Sequence, residues 1–189
     1  MFAAQFRNFD GHLEAIRYKL GLHHTLDNTV IVITADHGEE LFEHGYIGHA
    51  STAVHSKHYD EHLRIPLIIL CPRKIQGGKR IDVMAQQVDI LPTIMDMMGW
   101  EIPEGVQGRS LWPAIQGEPM EDVPVFAESV EGGYQSKLIQ RSTFVRSVRT
   151  RDWSFIARMG PLGDEFELYN IVDDPGELKN VYAEHADSA

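Results

Sequence analysis

Two short apolar runs constrain the fold more than anything else in this sequence. Thr29 to Ala35 reads T-V-I-V-I-T-A, and Arg64 to Cys71 reads R-I-P-L-I-I-L-C. Neither alternates between apolar and polar positions. Continuous β-branched runs of this kind suit strands covered on both faces, as in a parallel sheet. Pro66 near the start of its run is tolerated there, because the first residue of a strand can lack a donor. The segment between the runs is long enough for a crossover, and the expectation is two adjacent or near-adjacent parallel strands of one sheet. That segment is nevertheless far too polar to be only a covering helix.

The other elements follow from local pattern. Phe2, Phe6, Phe9, Leu13, Ile16 and Leu20 recur at alternating steps of four and three, which marks one face of a helix, with Gly21 as its stop. Asp89 to Met98 reads as a second helix, Asp89 as its N-cap and Gly99 just past its end. Residues 101–122 are rich in Pro and Gly and read as loop or linker. Strands are expected at Val123 to Ala127, Thr143 to Val148, Trp153 to Arg158 and Phe166 to Ile171, with R-T-R-D joining the middle two as a hairpin. Asp174-Pro175-Gly176-Glu177 reads as the start of a last helix, with Asp174 as cap and Glu177 reaching back. The picture is α/β: a core over residues 1–122 and a small antiparallel subdomain over 123–189.

Composition narrows the function. The 189 residues carry a formal charge of −11 and no basic patch, which argues against a nucleic-acid partner. No apolar run approaches the roughly 20 residues of a membrane span. The first ten residues lack the basic start and apolar stretch of a signal peptide, so cytoplasmic and periplasmic locations both stay open. The single cysteine, Cys71, ends an apolar run and reads as a buried, inert thiol.

The chemistry concentrates between Asp36 and His62, where six of the ten histidines lie. Asp36 and His37 stand at the carboxyl end of the first apolar run, the edge where open α/β sheets bind ligands, and Gly38 lets the chain turn there. A hard oxygen beside a borderline nitrogen suits a divalent ion, and two ligands do not choose among Ca, Mg, Mn and Zn. Glu39, Glu40 and Glu43 read as surface or supporting groups, and Arg109 as a residue that ties down a loop. His58-Tyr59-Asp60-Glu61-His62 matches H-x-x-E-H, an inverted zinc-protease signature. It runs within two residues into the second apolar run, where that signature needs a long helix, so the protease reading is a weak rival.

The string D-N-T-V-I-V-I-T-A-D-H-G-E-E, followed by E-H-G, G-H and Y-D-E-H-L-R-I-P-L-I-I-L, resembles the C-terminal part of sulfatases and related phosphonate and phosphodiester hydrolases. The resemblance continues through V-D-I-L-P-T-I-M-D-M-M-G and G-R-S-L-W-P to E-L-Y-N-I-V-D-D-P-G-E-L-K-N. It implies part of the alkaline-phosphatase-like sulfatase sheet, of mostly parallel strands with flanking helices, followed by a small C-terminal antiparallel subdomain. It implies hydrolysis of a sulfuric ester, with phosphonate monoester or phosphodiester hydrolysis as the alternative. It maps metal ligation onto Asp36 and His37, with calcium the leading ion and Mn, Mg or Zn the others. Many sulfatases carry Asn at the second of these positions, and His37 leans toward the phosphonate and phosphodiester branch. The basic residue that meets the transferred anion maps onto His55 when counted back from R-I-P, and onto His49 when counted from G-H. The G-H after D-H-G-E-E favours His49. Either histidine titrates in a range useful for general acid catalysis.

The C/S-x-P-x-R motif that supplies the nucleophile in this family has no counterpart in the chain, and the remaining acidic metal ligands belong to the N-terminal half of such proteins. The expectation is a partial catalytic domain, inactive alone, that takes a sulfate or phosphate ester only with its missing N-terminal half. The rival is a non-catalytic remnant or association module. An uncovered sheet edge would favour pairing with that half or a homo-oligomer.

Overall fold

The computed structural model describes residues 2–48, 57–130 and 143–185, with side chains from residue 6 onward. It divides into two compact units, Met1–Thr34 with Leu67–Ile81, and Ala35–Pro66 with Asp82–Ala189.

The first unit holds helix α1 (Phe2–Leu22) and strands β1 (Ile31–Thr34) and β4 (Leu67–Leu70). Gly21 does not stop α1; the helix runs to Leu22, and the left-handed residue is His24 at φ 53°. Along its expected apolar face Phe6, Phe9 and Ile16 are exposed, while Leu13 and Leu20 are half-buried. Strands β1 and β4 pair directly, with Ile31 opposite Leu70 and Thr34 opposite Leu67. The pairing is antiparallel, which corrects the parallel arrangement expected from the two apolar runs. A parallel partner requires the chain to travel back along the sheet. The chain instead leaves β1 at Thr34 and re-enters β4 at Leu67, at the same end of the pair. The strands are also less covered than their composition suggests, because Ile68 and Leu70 are exposed and no residue of β1 is fully buried.

The second unit begins with that excursion. It contains the two-residue strands β2 (Glu40–Leu41) and β3 (Ile47–Gly48), paired antiparallel, and a single turn of helix, α2 (Asp60–Leu63). Helix α3 (Ile90–Met98) follows a 3-10 turn and ends at Gly99, at φ 74°, the left-handed C-terminal residue expected there. Asp89 occupies the N-cap position, but its carboxylate bonds elsewhere, accepting from the backbone N–H of Gln86 at 2.8 Å and of Arg109 at 2.8 Å. The 101–122 stretch is not all loop, since helix α4 (Trp112–Gln116) buries Ala114 and Ile115.

Strands β5 (Val125–Val130), β6 (Phe144–Arg149), β7 (Trp153–Gly160) and β8 (Gly163–Asn170) form an antiparallel meander in sequence order. The β6–β7 hairpin turns through Thr150 to Asp152, as its sequence suggested. Val145, Ile156 and Tyr169 from this sheet pack with Tyr59, the residue before α2, and Ile171 lies against them. No helix starts at Asp174. Its carboxylate accepts from the N–H groups of Leu178 (2.9 Å) and Lys179 (2.8 Å) to close a turn, and helix α5 (Tyr182–His185) begins later. The D-P-G-E signature fails as a helix start because Glu177 sits at φ 51° and its side chain is engaged far away in sequence.

Candidate functional site

The D-H-G turn lies immediately beyond β1. Gln87 holds its backbone, the side-chain amide donating to the carbonyls of Ala35 (2.9 Å) and Asp36 (3.1 Å). Nothing in the sequence around Gln87 signalled that role. Asp36 and His37 are both accessible, with side chains 89% and 43% exposed. Asp36 Oδ1 accepts from the backbone N–H of His37 at 3.0 Å, which turns the carboxylate toward the imidazole. Nδ1 of His37 lies 2.8 Å from the carbonyl oxygen of Gly38. A carbonyl can only accept, so Nδ1 carries the proton in that contact. Nε2 then faces Asp36, 3.7 Å from Oδ2.

Gly38 is required by contact rather than by an unusual φ. Its N–H donates to the carbonyl of His62 at 2.8 Å, and a Cβ on Gly38 would stand 1.9 Å from the carbonyl oxygen of Glu61. Backbone to backbone, α2 therefore lies against the turn that carries Asp36 and His37.

Around α2 the residues 57–62 are tied down one by one. Lys57 Nζ donates to Glu167 Oε1 at 2.7 Å and stands 5.4 Å from the centre of the Tyr59 ring. Burial works against the ammonium, but the Glu167 carboxylate outweighs it and holds the Lys57 pKa above its usual value. The same exchange acts on Glu167, where burial opposes ionisation and Lys57 prevails, so its pKa is lowered. Glu167 Oε2 also accepts from the hydroxyls of Tyr59 (3.1 Å) and Tyr169 (2.8 Å). His58 is buried, Nδ1 against the Ser147 hydroxyl at 2.9 Å and Nε2 against the Ser129 hydroxyl at 2.8 Å. Burial, with His62 nearby, lowers its pKa to about 4. With both ring nitrogens taken by serines and α2 only four residues long, H-x-x-E-H lacks the geometry of a zinc-protease helix.

Glu40 departs from its expected surface place. It is 0% exposed, its carboxylate 3.7 Å from Nε2 of buried His62. His44 stacks on Tyr59, ring centres 3.7 Å apart, with Nε2 3.6 Å from Glu61 Oε2. Arg109 does what its context implied, donating to the carbonyls of Glu121 (2.6 Å) and Met84 (3.0 Å). Cys71 is a free, buried thiol. His49 and His55 lie outside the described residues. Among the described residues no three His, Cys, Asp or Glu converge to hold an ion.

Comparison with solved structures supports an alkaline-phosphatase-like α/β fold for the chain. Residues 2–100 match the sulfatase family, and residues 54–189 match the C-terminal region of N-sulphoglucosamine sulphohydrolase. The chain belongs to the sulfatase family. It is 32% identical over 163 residues to an N-acetylglucosamine-6-O-sulfatase of Bacteroides thetaiotaomicron, covering 85% of this chain and 28% of that protein. It is 28% identical to arylsulfatase K of Danio rerio, covering 94% of this chain and 32% of that one. A solved structure of a protein in complex with its substrate D-glucosamine-2-N,6-O-disulfate superposes with TM-score 0.74 and 30% identity, covering 94% of this chain and 35% of that one. A phosphonate monoester hydrolase from Silicibacter pomeroyi superposes equally well, with TM-score 0.74, 28% identity, and coverage of 95% of this chain and 35% of that one. The chain thus spans about a third of the length of the relatives it matches.

Proposed function

We propose that this chain is the C-terminal part of a metal-dependent hydrolase of sulfate esters, with Asp36 and His37 as two of the metal ligands. In this reading residues 1–122 complete the catalytic α/β domain and residues 123–189 form its accessory subdomain. The observation that carries it is the Gly38 carbonyl on Nδ1 of His37. Fixing the proton there leaves Nε2 as the coordinating nitrogen, a backbone device for orienting a metal-binding imidazole. Nε2 and Asp36 Oδ2 stand 3.7 Å apart, a separation that one divalent ion can bridge, with calcium the leading candidate and Mn, Mg or Zn the others. When bound, the ion supplies a Lewis acid for a sulfuryl oxygen and acidifies the attacking group. Gln87 and Gly38 keep the two donors on the same side of the turn, and His49 or His55 meets the anion or protonates the leaving oxygen.

The partners follow from the same reading. A sulfate ester is the substrate class, in keeping with the relatives' names. The exposed Phe6, Phe9, Ile16, Ile68 and Leu70 of the first unit suit burial against the N-terminal half of a sulfatase, with a homo-oligomer as the other way to cover them. The similarity to a phosphonate monoester hydrolase, together with His37, keeps phosphonate and phosphodiester hydrolysis as the second reading.

The test supplies an N-terminal sulfatase segment in cis and assays aryl sulfate, phosphonate monoester and phosphodiester in parallel. Sulfate turnover that falls at least about 100-fold in both Asp36→Ala and His37→Ala is expected, since site residues act as a unit. Faster phosphonate turnover would move the assignment to the second reading. Turnover unaffected by Asp36→Ala, or absent with a folded complex, would leave the non-catalytic alternative.

A further inference from the structure

Glu177 lies on the turn after β8, 117 residues from α2, yet it is joined to α2 directly. It is 2% exposed and sits at φ 51°, a left-handed conformation that an L side chain adopts at a cost. What holds it there is the use of both carboxylate oxygens. Oε2 accepts from the backbone N–H of Asp60, the first residue of α2, at 2.7 Å. Oε1 accepts from Arg149 Nη1 at 3.1 Å, and Nη2 of the same guanidinium lies 3.3 Å from Asp60 Oδ1. Glu177, Arg149 and Asp60 thus close a ring of charge-assisted contacts in a poorly solvated place. The N–H that Glu177 takes is one of the orphan donors every helix start exposes. The other face of α2 supports the D-H-G turn, His62 accepting from the N–H of Gly38, and Gly38 accepting from His37.

We propose that Glu177 is a positioning residue for Asp36 and His37. It fixes α2 from the C-terminal sheet, and α2 in turn fixes the Gly38 backbone on which the imidazole of His37 is oriented. The effect runs along backbone hydrogen bonds, so it needs no contact between Glu177 and a substrate. The proposal rests on Asp36 and His37 being the metal-facing pair.

Amide hydrogen exchange and amide chemical shifts of the 189-residue chain, measured by NMR without metal, test this. Glu177→Ala is expected to speed exchange at Gly38 by about 10- to 100-fold, the loss of a charge-assisted bond. The His37 amide signal should shift with it, while the amides of β7 keep their protection. Glu177→Gln keeps an acceptor for the Asp60 N–H but loses the charge facing Arg149, so Gly38 should speed up by only a few-fold. If Glu177→Ala unfolds the sheet, Glu177→Gln decides. Wild-type exchange at Gly38 in Glu177→Gln, or acceleration of β7 by the same factor as Gly38, would overturn the proposal. Because no metal or turnover enters the measurement, its failure leaves the role of Asp36 and His37 standing, and loss of that role leaves this path standing.

Discussion

Glu40 and His62 face each other in the interior of the site segment, Oε2 of the one 3.7 Å from Nε2 of the other, both out of reach of solvent. Neither carboxylate oxygen of Glu40 has a hydrogen-bond partner among the described residues. A buried pair of this kind is costly to break and cheap to replace as a unit. Glu40→Leu and His62→Leu should therefore each destabilise the chain by about 3 kcal/mol. The double replacement Glu40→Leu with His62→Leu should cost less than either single change. Urea midpoints of the four proteins check this, and a double variant as unstable as the sum of the singles would contradict it.

His58 makes stability depend on pH. Its folded pKa is lowered from 6.5 to about 4 by burial first and by His62 second. Between those values the unfolded chain takes up a proton that the folded chain refuses. Stability is then fully present above pH 6.5 and falls as pH drops toward 4, levelling off below. At pH 4.5 the loss from this group is about 2–3 kcal/mol. Glu167, whose pKa is lowered, adds its own loss only at lower pH. Denaturant melts at pH 7 and 4.5 should show the drop in the wild type, and His58→Gln should flatten it. An unchanged slope in the variant would remove His58 as the cause.

Gly38→Ala should be severe. The added Cβ meets the Glu61 carbonyl oxygen at 1.9 Å, and a backbone atom cannot swing aside as a side-chain end can. Separation of α2 from the turn is expected, with a stability loss of about 2–4 kcal/mol. The Gly38 to His62 hydrogen bond should disappear from amide exchange data.

The chain alone should show no turnover on aryl sulfate or phosphate esters, and its metal affinity should be weak. Two donors fall short of the roughly 6–8 oxygens that calcium takes. Calorimetry with Ca, Mn and Zn is expected to give dissociation constants above about 10 μM, weakened further in Asp36→Ala. Binding of Ca or Mn tighter than about 1 μM, lost in that variant, would mean that the chain already holds a complete site. Tight zinc binding lost in His58→Ala and His62→Ala, but not in Asp36→Ala, would return the H-x-x-E-H reading.

Much of this was legible where short-range signals decide. The β6–β7 hairpin and the end of α3 at Gly99 follow from turn residues and local backbone preference. The direction of β4 was not legible, because an apolar run records burial and says nothing about which way its neighbour points. Asp36 and His37 could be singled out from their place after a strand. Glu40 could not, since an acidic residue in an acidic loop gives no sign that it is buried. The serines on β5 and β6 that hold His58, and Glu177 on Asp60, act across 71 to 117 residues. Nothing local marks them.

The pairing of Thr34 with Leu67 has a consequence for how the segment that carries Asp36 and His37 can diversify. The 32 residues from Ala35 to Pro66 leave and return through one clamp, like a bight of rope held at its base. Where a connection is flexible, each doubling of its length costs only about 0.6 kcal/mol. Such a change also leaves the register of β1 and β4 untouched. Chain length within the segment can thus change without renegotiating the strands at its neck.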